Sequence, residues 1–264
     1  MNALTPILEY KKSEVAALKS TRSFSDLDRD ARAAEPTRGF ANALSDVASS
    51  GENGLICELK RKSPSAGEIL PGADPIAIAK EYEDGGAACL SVLTDGPSFG
   101  GNLDDLTAIR SAVSLPLLRK DFMIDPIQIV EARAYGADAI LIIMAAVSDE
   151  LAAELLKTAS DYKLDALVEV HNDAELSRAM TLKGGLLGIN NRDLTKMTTD
   201  LSVCETLSRK LEARPFVSES GVKTPSDIIR LRAAGAKRFL IGESLMLSSN
   251  RQSMVADLRS AGTV

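Results

Sequence analysis

Histidine is almost missing from this sequence. The 264 residues hold one, His171, and three cysteines, Cys57, Cys89 and Cys204, odd in number and far apart. Without a CxxC pair or a His/Cys cluster there is no disulfide framework and no transition-metal site, so the metal-ligand expectation is none and the thiols read as reduced and intracellular. Positive charge is also short. Lys and Arg total 31 against 37 Asp and Glu, a net charge of −6. That argues against the basic stripe of a nucleic-acid surface but leaves room for a local cationic pocket that takes a phosphorylated small molecule. Long apolar runs are lacking too. The longest, Ala139 to Val147, is far too short to span a bilayer. Glu9, Lys11, Lys12 and Glu14 stand where a signal peptide would need its apolar run, so the expectation is a cytoplasmic protein with no membrane partner. No G-x-G-x-x-G follows a strand and no G-x-x-x-x-G-K-[ST] occurs, which removes the common dinucleotide and P-loop sites.

What is present is a repeated grammar: an amphipathic helix, a Gly-Ala type stop, then a short apolar run. "IAIAKEYEDGGAACLSVLTD", "QIVEARAYGADAILII" and "DIIRLRAAGAKRFLIGES" follow it closely, and "AELSRAMTLKGGLLGINNRD" more loosely. Glycine supplies the left-handed cap, and the Val/Ile/Leu run suits a strand covered on both faces. Eight such strands are expected, at 55–59, 89–93, 115–119, 139–143, 166–170, 186–189, 215–218 and 239–241. Eight parallel strands in a chain of this length fit an α/β fold of the (β/α)8 TIM-barrel type, typically about 250 residues, in preference to an open doubly wound sheet. The whole of 1–264 reads as one barrel domain. Residues 1–47, with helical patterns in "ILEYKKSEVAALK" and near Phe40–Val47, read as an N-terminal helical extension covering the barrel.

Barrels of this kind place their chemistry where strands end. In "ICELKRKSPSAGEI", strand alternation sets Glu58 and Lys60 on one face and Cys57, Leu59 and Arg61 on the other. A lone E-x-K is most often a solvated edge. Here the other strand ends add Lys120, Glu169, Asn190 and Glu219 at equivalent registers, a converging set of acids, bases and cations suited to proton transfer and anion binding. "SESGV" and "IGESLM" after the last two strands put Ser220, Gly221, Gly242 and Ser244 at the usual phosphate position of the fold.

These stretches resemble the indole-3-glycerol-phosphate synthase family. The resemblance rests on "ELKRKSPSAG", "VLTDGPSFGG", "LLRKDFMIDPIQIVEARAYGADAILII", "LVEVHN", "GINNRDL", "VSESGV" and "IGESLM", in order from about 55 to 247. It implies a carboxy-lyase of tryptophan biosynthesis that closes 1-(2-carboxyphenylamino)-1-deoxyribulose 5-phosphate to an indole with loss of CO2 and water, needing no cofactor. It further implies Lys120 as general acid, with Glu58, Lys60, Glu169, Asn190, Glu219 and Ser220 at the family's functional positions. Given that substrate, Pro64, Phe99, Phe122 and Leu141 are candidates to wall its ring, and Lys60, Ser63 and Arg192 to hold its carboxylate. Three positions depart from the family pattern: Lys62, Ala66 and Leu247, the last two removing positive charge near the mouth. His171 is expected to be structural or solvated. Two other readings compete with this one. A phosphoribosylanthranilate isomerase would need a Cys/Asp pair, which Cys57 on the opposite face does not supply. A dead barrel would have lost its strand-end charges, and none is lost.

Overall fold

The computed structural model describes residues 4–263. Eight strands form a closed parallel barrel: β1 Gly54–Leu59, β2 Cys89–Leu93, β3 Leu117–Lys120, β4 Ala139–Ile143, β5 Asp165–Val170, β6 Leu186–Asn190, β7 Phe216–Glu219 and β8 Arg238–Ile241. Each pairs with its sequence neighbours, and β1 closes on β8 with Ile56 opposite Leu240. All eight expected strands are present. The third begins at Leu117, not Leu115, because Pro116 has no N–H to give the ladder; its carbonyl still accepts from Leu90 N at 3.0 Å.

Local chemistry sets where the outer helices start and stop. Asp74, Asp125 and Thr224 cap the N-termini of helices whose first residues are Pro75, Pro126 and Pro225. After the helices, Gly86, Gly136 and Gly235 take positive φ and turn the chain back into the next strand. Side chains alternate along the strands. Cys57, Leu59, Leu90, Val92, Ile140 and Ile142 face the helices, whereas Ile56, Cys89, Leu118, Leu141, Leu167, Val217 and Leu240 fill the barrel.

The N-terminal segment forms three helices, α1 Leu4–Thr21, α2 Phe24–Ala33 and α3 Phe40–Ser49. α1 and α3 serve opposite ends of the barrel, while α2 packs its Leu27 and Ala31 against Ile127 and Val130 of the outer helix Pro126–Ala134. Through α1, Tyr10 and Lys11 bond to loops at the carboxyl ends of the strands. α3 lies at the amino ends and is the barrel's floor. Phe40 and Leu44 are buried with Ile56, Cys89 and Leu240, Ala41 N donates to Asp165 Oδ2 at 2.9 Å, and Arg238 Nη2 donates to Ser45 Oγ at 3.2 Å. The chain reaches the floor along a rail of arginines. Arg38 Nη1 donates to the carbonyls of Val113 and Leu115, Arg110 Nη2 to that of Pro36, and Arg133 Nη2 to that of Ala34. Asp138 neutralises Arg110 at 2.7 Å and also accepts from Leu117 N.

Phe40 is 1% exposed. Phe40→Ala should open the floor and lower unfolding free energy by about 3–5 kcal/mol. The urea midpoint checks this, and a loss under 1 kcal/mol would mean that α3 is an ornament on the barrel.

Candidate active site

At the carboxyl ends the inward positions change from apolar to charged. Glu58, two residues beyond Ile56 on the same face of β1, carries its carboxylate into the mouth. Its Oε2 lies 3.4 Å from Lys120 Nζ and accepts from Ser91 Oγ at 3.2 Å, while Oε1 lies 3.3 Å from Lys60 Nζ. Burial pushes the Glu58 carboxyl up, but the two ammonium groups more than offset this and hold it below the ordinary range. The reverse holds for Lys120. Burial favours its neutral form, yet Glu58, Glu169 and Glu219 together raise it, so the ammonium persists at neutral pH.

Glu169, at the end of β5, lies within hydrogen-bonding reach of Glu219, at the end of β7. Both are almost wholly buried. Burial raises Glu169, but the His171 imidazole, 3.1 Å away, and Lys120 pull it below the usual carboxylate range. Glu219 is driven the other way, first by burial and then by the Glu169 charge. Two glycines make room for these carboxylates. A Cβ on Gly188 would sit 2.1 Å from Glu219 Oε1, and one on Gly242 would sit 2.8 Å from Glu58 Oε1. Asn190, opposite Glu219 in the β6–β7 pairing, lines the mouth and accepts from Arg192 N at 3.0 Å. Among the described residues no group of three or more His, Cys, Asp or Glu side chains has metal-holding geometry. Cys57 faces the helices, as alternation requires, and burial pushes its thiol up, so it offers no acid–base group to the mouth.

Above the carboxylates is a cavity of about 100 Å³ that Ser63, Pro64, Phe99, Phe122, Leu141 and Arg192 all line, together with Glu58, Lys60, Lys120, Glu169 and Asn190. The Phe99 and Phe122 rings stand 6.1 Å apart and tilted by 38°. It adjoins a larger cavity of about 540 Å³, lined by Ser220, Gly221, Gly242 and Ser244. Lys60, Arg192, Ser65 and Ser220 border both. Ser220 and Gly221 both have positive φ, 63° and 91°, a sharp turn at which Ser220 carries left-handed strain. The Ser244 hydroxyl is not free for a ligand to accept from: it donates to Val222 O at 2.8 Å, so its backbone N–H is the donor left for an anion. Ala66 and Leu247 line the same cavity, where the sequence pattern loses two cations. Leu194 and Met197, from the loop after β6, complete the apolar wall; their signal in the sequence was two apolar residues in an otherwise polar loop.

A family model described as indole-3-glycerol phosphate synthase matches residues 4–258. Curated relatives bearing that description include one from Hyphomonas neptunium, 60% identical with 92% of each chain covered. Another, from Azospirillum brasilense, is 51% identical and covers 93% of this chain and 94% of its own. A third, from Rhodospirillum rubrum, is 51% identical over 92% and 93%. Among solved structures, one titled 3-hexulose-6-phosphate synthase superposes with a TM-score of 0.65 over 79% of this chain and 99% of its own, at 18% identity. That likeness speaks for the barrel alone.

One part of the mouth was missed in the sequence. Ile7, Lys11 and Val15 fall four residues apart and are all buried on one stripe of α1, so a lysine occupies the apolar face. Its ammonium lies 3.0 Å from Asp95 and 2.7 Å from Asp121, the residue after Lys120, and Tyr10 OH donates to Asp95 at 2.7 Å. Arg119 reaches Asp121 from the opposite side at 3.1 Å and Glu131 at 2.9 Å. Lys11→Met leaves Asp95 without its cation in a dry place and should cost about 3–5 kcal/mol. Lys12→Met, which breaks only an exposed pair with Glu9, should leave the urea midpoint where it was. Equal midpoints for the two variants would show that α1 is not clamped through Lys11.

Proposed function

The chain belongs to the indole-3-glycerol phosphate synthase family, and we propose that Glu58, Lys60, Lys120, Glu169, Asn190 and Glu219 carry its ring-closing chemistry at the barrel mouth. The reaction is that of a carboxy-lyase in tryptophan biosynthesis, acting on a phosphorylated small molecule. The observation that carries the assignment of roles is the persistent Lys120 ammonium between Glu58 and the Glu169–Glu219 pair.

The aryl ring carbon that bears the carboxylate attacks the ketone carbon of the sugar chain, and Lys120 gives its proton to the carbonyl oxygen as charge develops there. CO2 then leaves, and the electron pair of its bond to the ring restores aromaticity. Before that loss the aniline nitrogen carries positive charge, which the ionised Glu58 and Glu169 stabilise. Water leaves next. An ammonium, Lys60 in this assignment, protonates the departing hydroxyl, and Glu169 accepts the proton from the neighbouring carbon. Glu219 holds a proton at neutral pH and, with Asn190, orders the polar side of the pocket. Pro64, Phe99, Phe122 and Leu141 wall the aromatic ring, and Lys60, Ser63 and Arg192 hold its carboxylate. The phosphate occupies the larger cavity, against the turn of Ser220 and Gly221 and the backbone N–H groups after Gly242, which have no helical carbonyl behind them. Turnover needs no metal or cofactor in this reading. A cytoplasmic site of action is supported by the three buried free thiols.

Formation of indole-glycerol phosphate from the synthetic substrate, followed by indole fluorescence, tests the activity directly; a folded protein without turnover would overturn it. Lys120→Met keeps the apolar stem and removes the acid. It should lower kcat by about 10²–10⁴-fold while binding of a product analogue survives. Near-normal kcat would remove Lys120 from the chemistry. Ser244→Asp should raise KM about tenfold or more by setting a carboxylate against the phosphate, whereas Ser244→Ala, which loses only the tie to Val222, should change it far less. Similar KM values for both variants would move the phosphate elsewhere.

A further inference from the structure

His171 does not point to solvent. Its side chain is 7% exposed and lies between two carboxylates: Nε2 is 3.1 Å from Glu169 Oε1 and Nδ1 is 2.9 Å from Glu175 Oε2. Glu175, on the helix Asp173–Ala179, is itself fixed, because Oε2 also accepts from His171 N and Oε1 from Asn172 Nδ2. Nδ1 is hydrogen-bonded to Glu175. Nε2, at ion-pair distance from Glu169 but not aligned for a hydrogen bond, would turn a lone pair against a carboxylate if it carried no proton, so the imidazolium is the form that fits both sides. Burial alone would favour neutral histidine, but the two carboxylates outweigh it and lift the group to about 10.

Beyond Glu169 stands Glu219, and Glu169 Oε2 and both Glu219 oxygens are buried without a donor. Two facing carboxylates in such a place can satisfy each other only by sharing one proton. The cations around the pair are placed unequally. Lys120, on β3, acts on both through space, and on Glu219 more strongly than His171 does, whereas His171 is in contact with Glu169 and is the stronger of the two cations there.

We propose that His171 is a positioning residue for the mouth: its imidazolium, braced by Glu175, assigns the proton shared by Glu169 and Glu219 to Glu219 and so keeps Glu169 ionised and aimed at the substrate. This rests on the reading of Glu169 as the acceptor in the dehydration step. The groups facing His171 are Glu169 on β5, which ends one residue before it, and Glu175 on the following helix, with Glu219 on β7 and Lys120 on β3 acting through the pair.

Because the chain has one histidine, its imidazole C–H resonances in the untagged protein belong to His171 without further assignment. They should stay at imidazolium positions across the neutral range, up to about pH 8.5. A midpoint near 6.5 would overturn the proposal. Glu175→Gln should bring that midpoint down by about one pH unit or more, and an unmoved midpoint would overturn the bracing. His171→Gln keeps an N–H for Glu169 but no charge. It should lower kcat about tenfold or more, leave KM within about twofold, and move the acid limb of the kcat profile upward by about one unit. Loss of kcat with an unmoved limb would reduce His171 to packing, and a wild-type profile would remove it altogether. If His171→Gln does not fold, the two titrations still decide. Turnover of the wild-type protein, measured in the same preparation, reports on the functional reading independently of either titration.

Discussion

One ammonium faced by three carboxylates organises the mouth of this barrel. Glu58, Glu169 and Glu219 could not share a dry interior on their own, since each ionised carboxylate there needs a cation or a proton. Lys120 supplies the common cation, and the same carboxylates keep it charged. The surplus is settled locally, by Lys60 beside Glu58 and by His171 beside Glu169, while burial and the Glu169 charge push the Glu219 carboxyl well above its ordinary range. Gly188 and Gly242 are part of that settlement. Each lies on a neighbouring strand or its end, and each makes room for a carboxylate that any larger residue would displace.

Strand alternation then links the inside of the barrel to the outside. Lys120 points inward from the last position of β3, and the residue before it, Arg119, points outward into a second network with Thr94, Asp121 and Glu131. Lys11 of α1 closes that network from above. The mouth-facing side of β3 is therefore stiffened from its back, and residues outside the cavity, Lys11, Arg119 and Glu131, help to hold Lys120 where the carboxylates meet it.

The barrel and most of its mouth were legible in the sequence because parallel βα units repeat one pattern, and the residue that ends each strand inherits a known direction. Glu58 and Lys60 could be placed on one face, and Cys57 on the other, by counting alone. Most strand boundaries agree to within one residue, and the largest shift, two residues at the start of β3, falls where Pro116 has no N–H for the ladder. What was not legible depends on meetings between distant segments. No spacing rule brings Phe40 to Leu240, or Lys11 to Asp121, although Lys11 on the buried stripe of α1 was a sign that could have been read. His171 is a case of the same kind. In sequence it is a lone histidine expected to be structural or solvated, and only the fold shows it buried between Glu169 and Glu175. Ser244 is the converse case: its place was legible, but the use of its hydroxyl on Val222 O was not.

The floor helix has a consequence for the order in which the molecule can be assembled. α3 is made before any strand, yet it bonds to Asp165 on β5 and Arg238 on β8 and packs against Ile56 and Leu240. On a growing chain it has an apolar face and no barrel to bury it in. Its final partners emerge only after almost the entire chain has been synthesised, and closing so long a loop is a late and slow event. The barrel cannot finish strand by strand from one end, because a helix made before every strand is also its last-satisfied contact. A chain halted before β8 would leave both a ring with a gap and a plug without a seat, a form exposed to aggregation and to capture by chaperones.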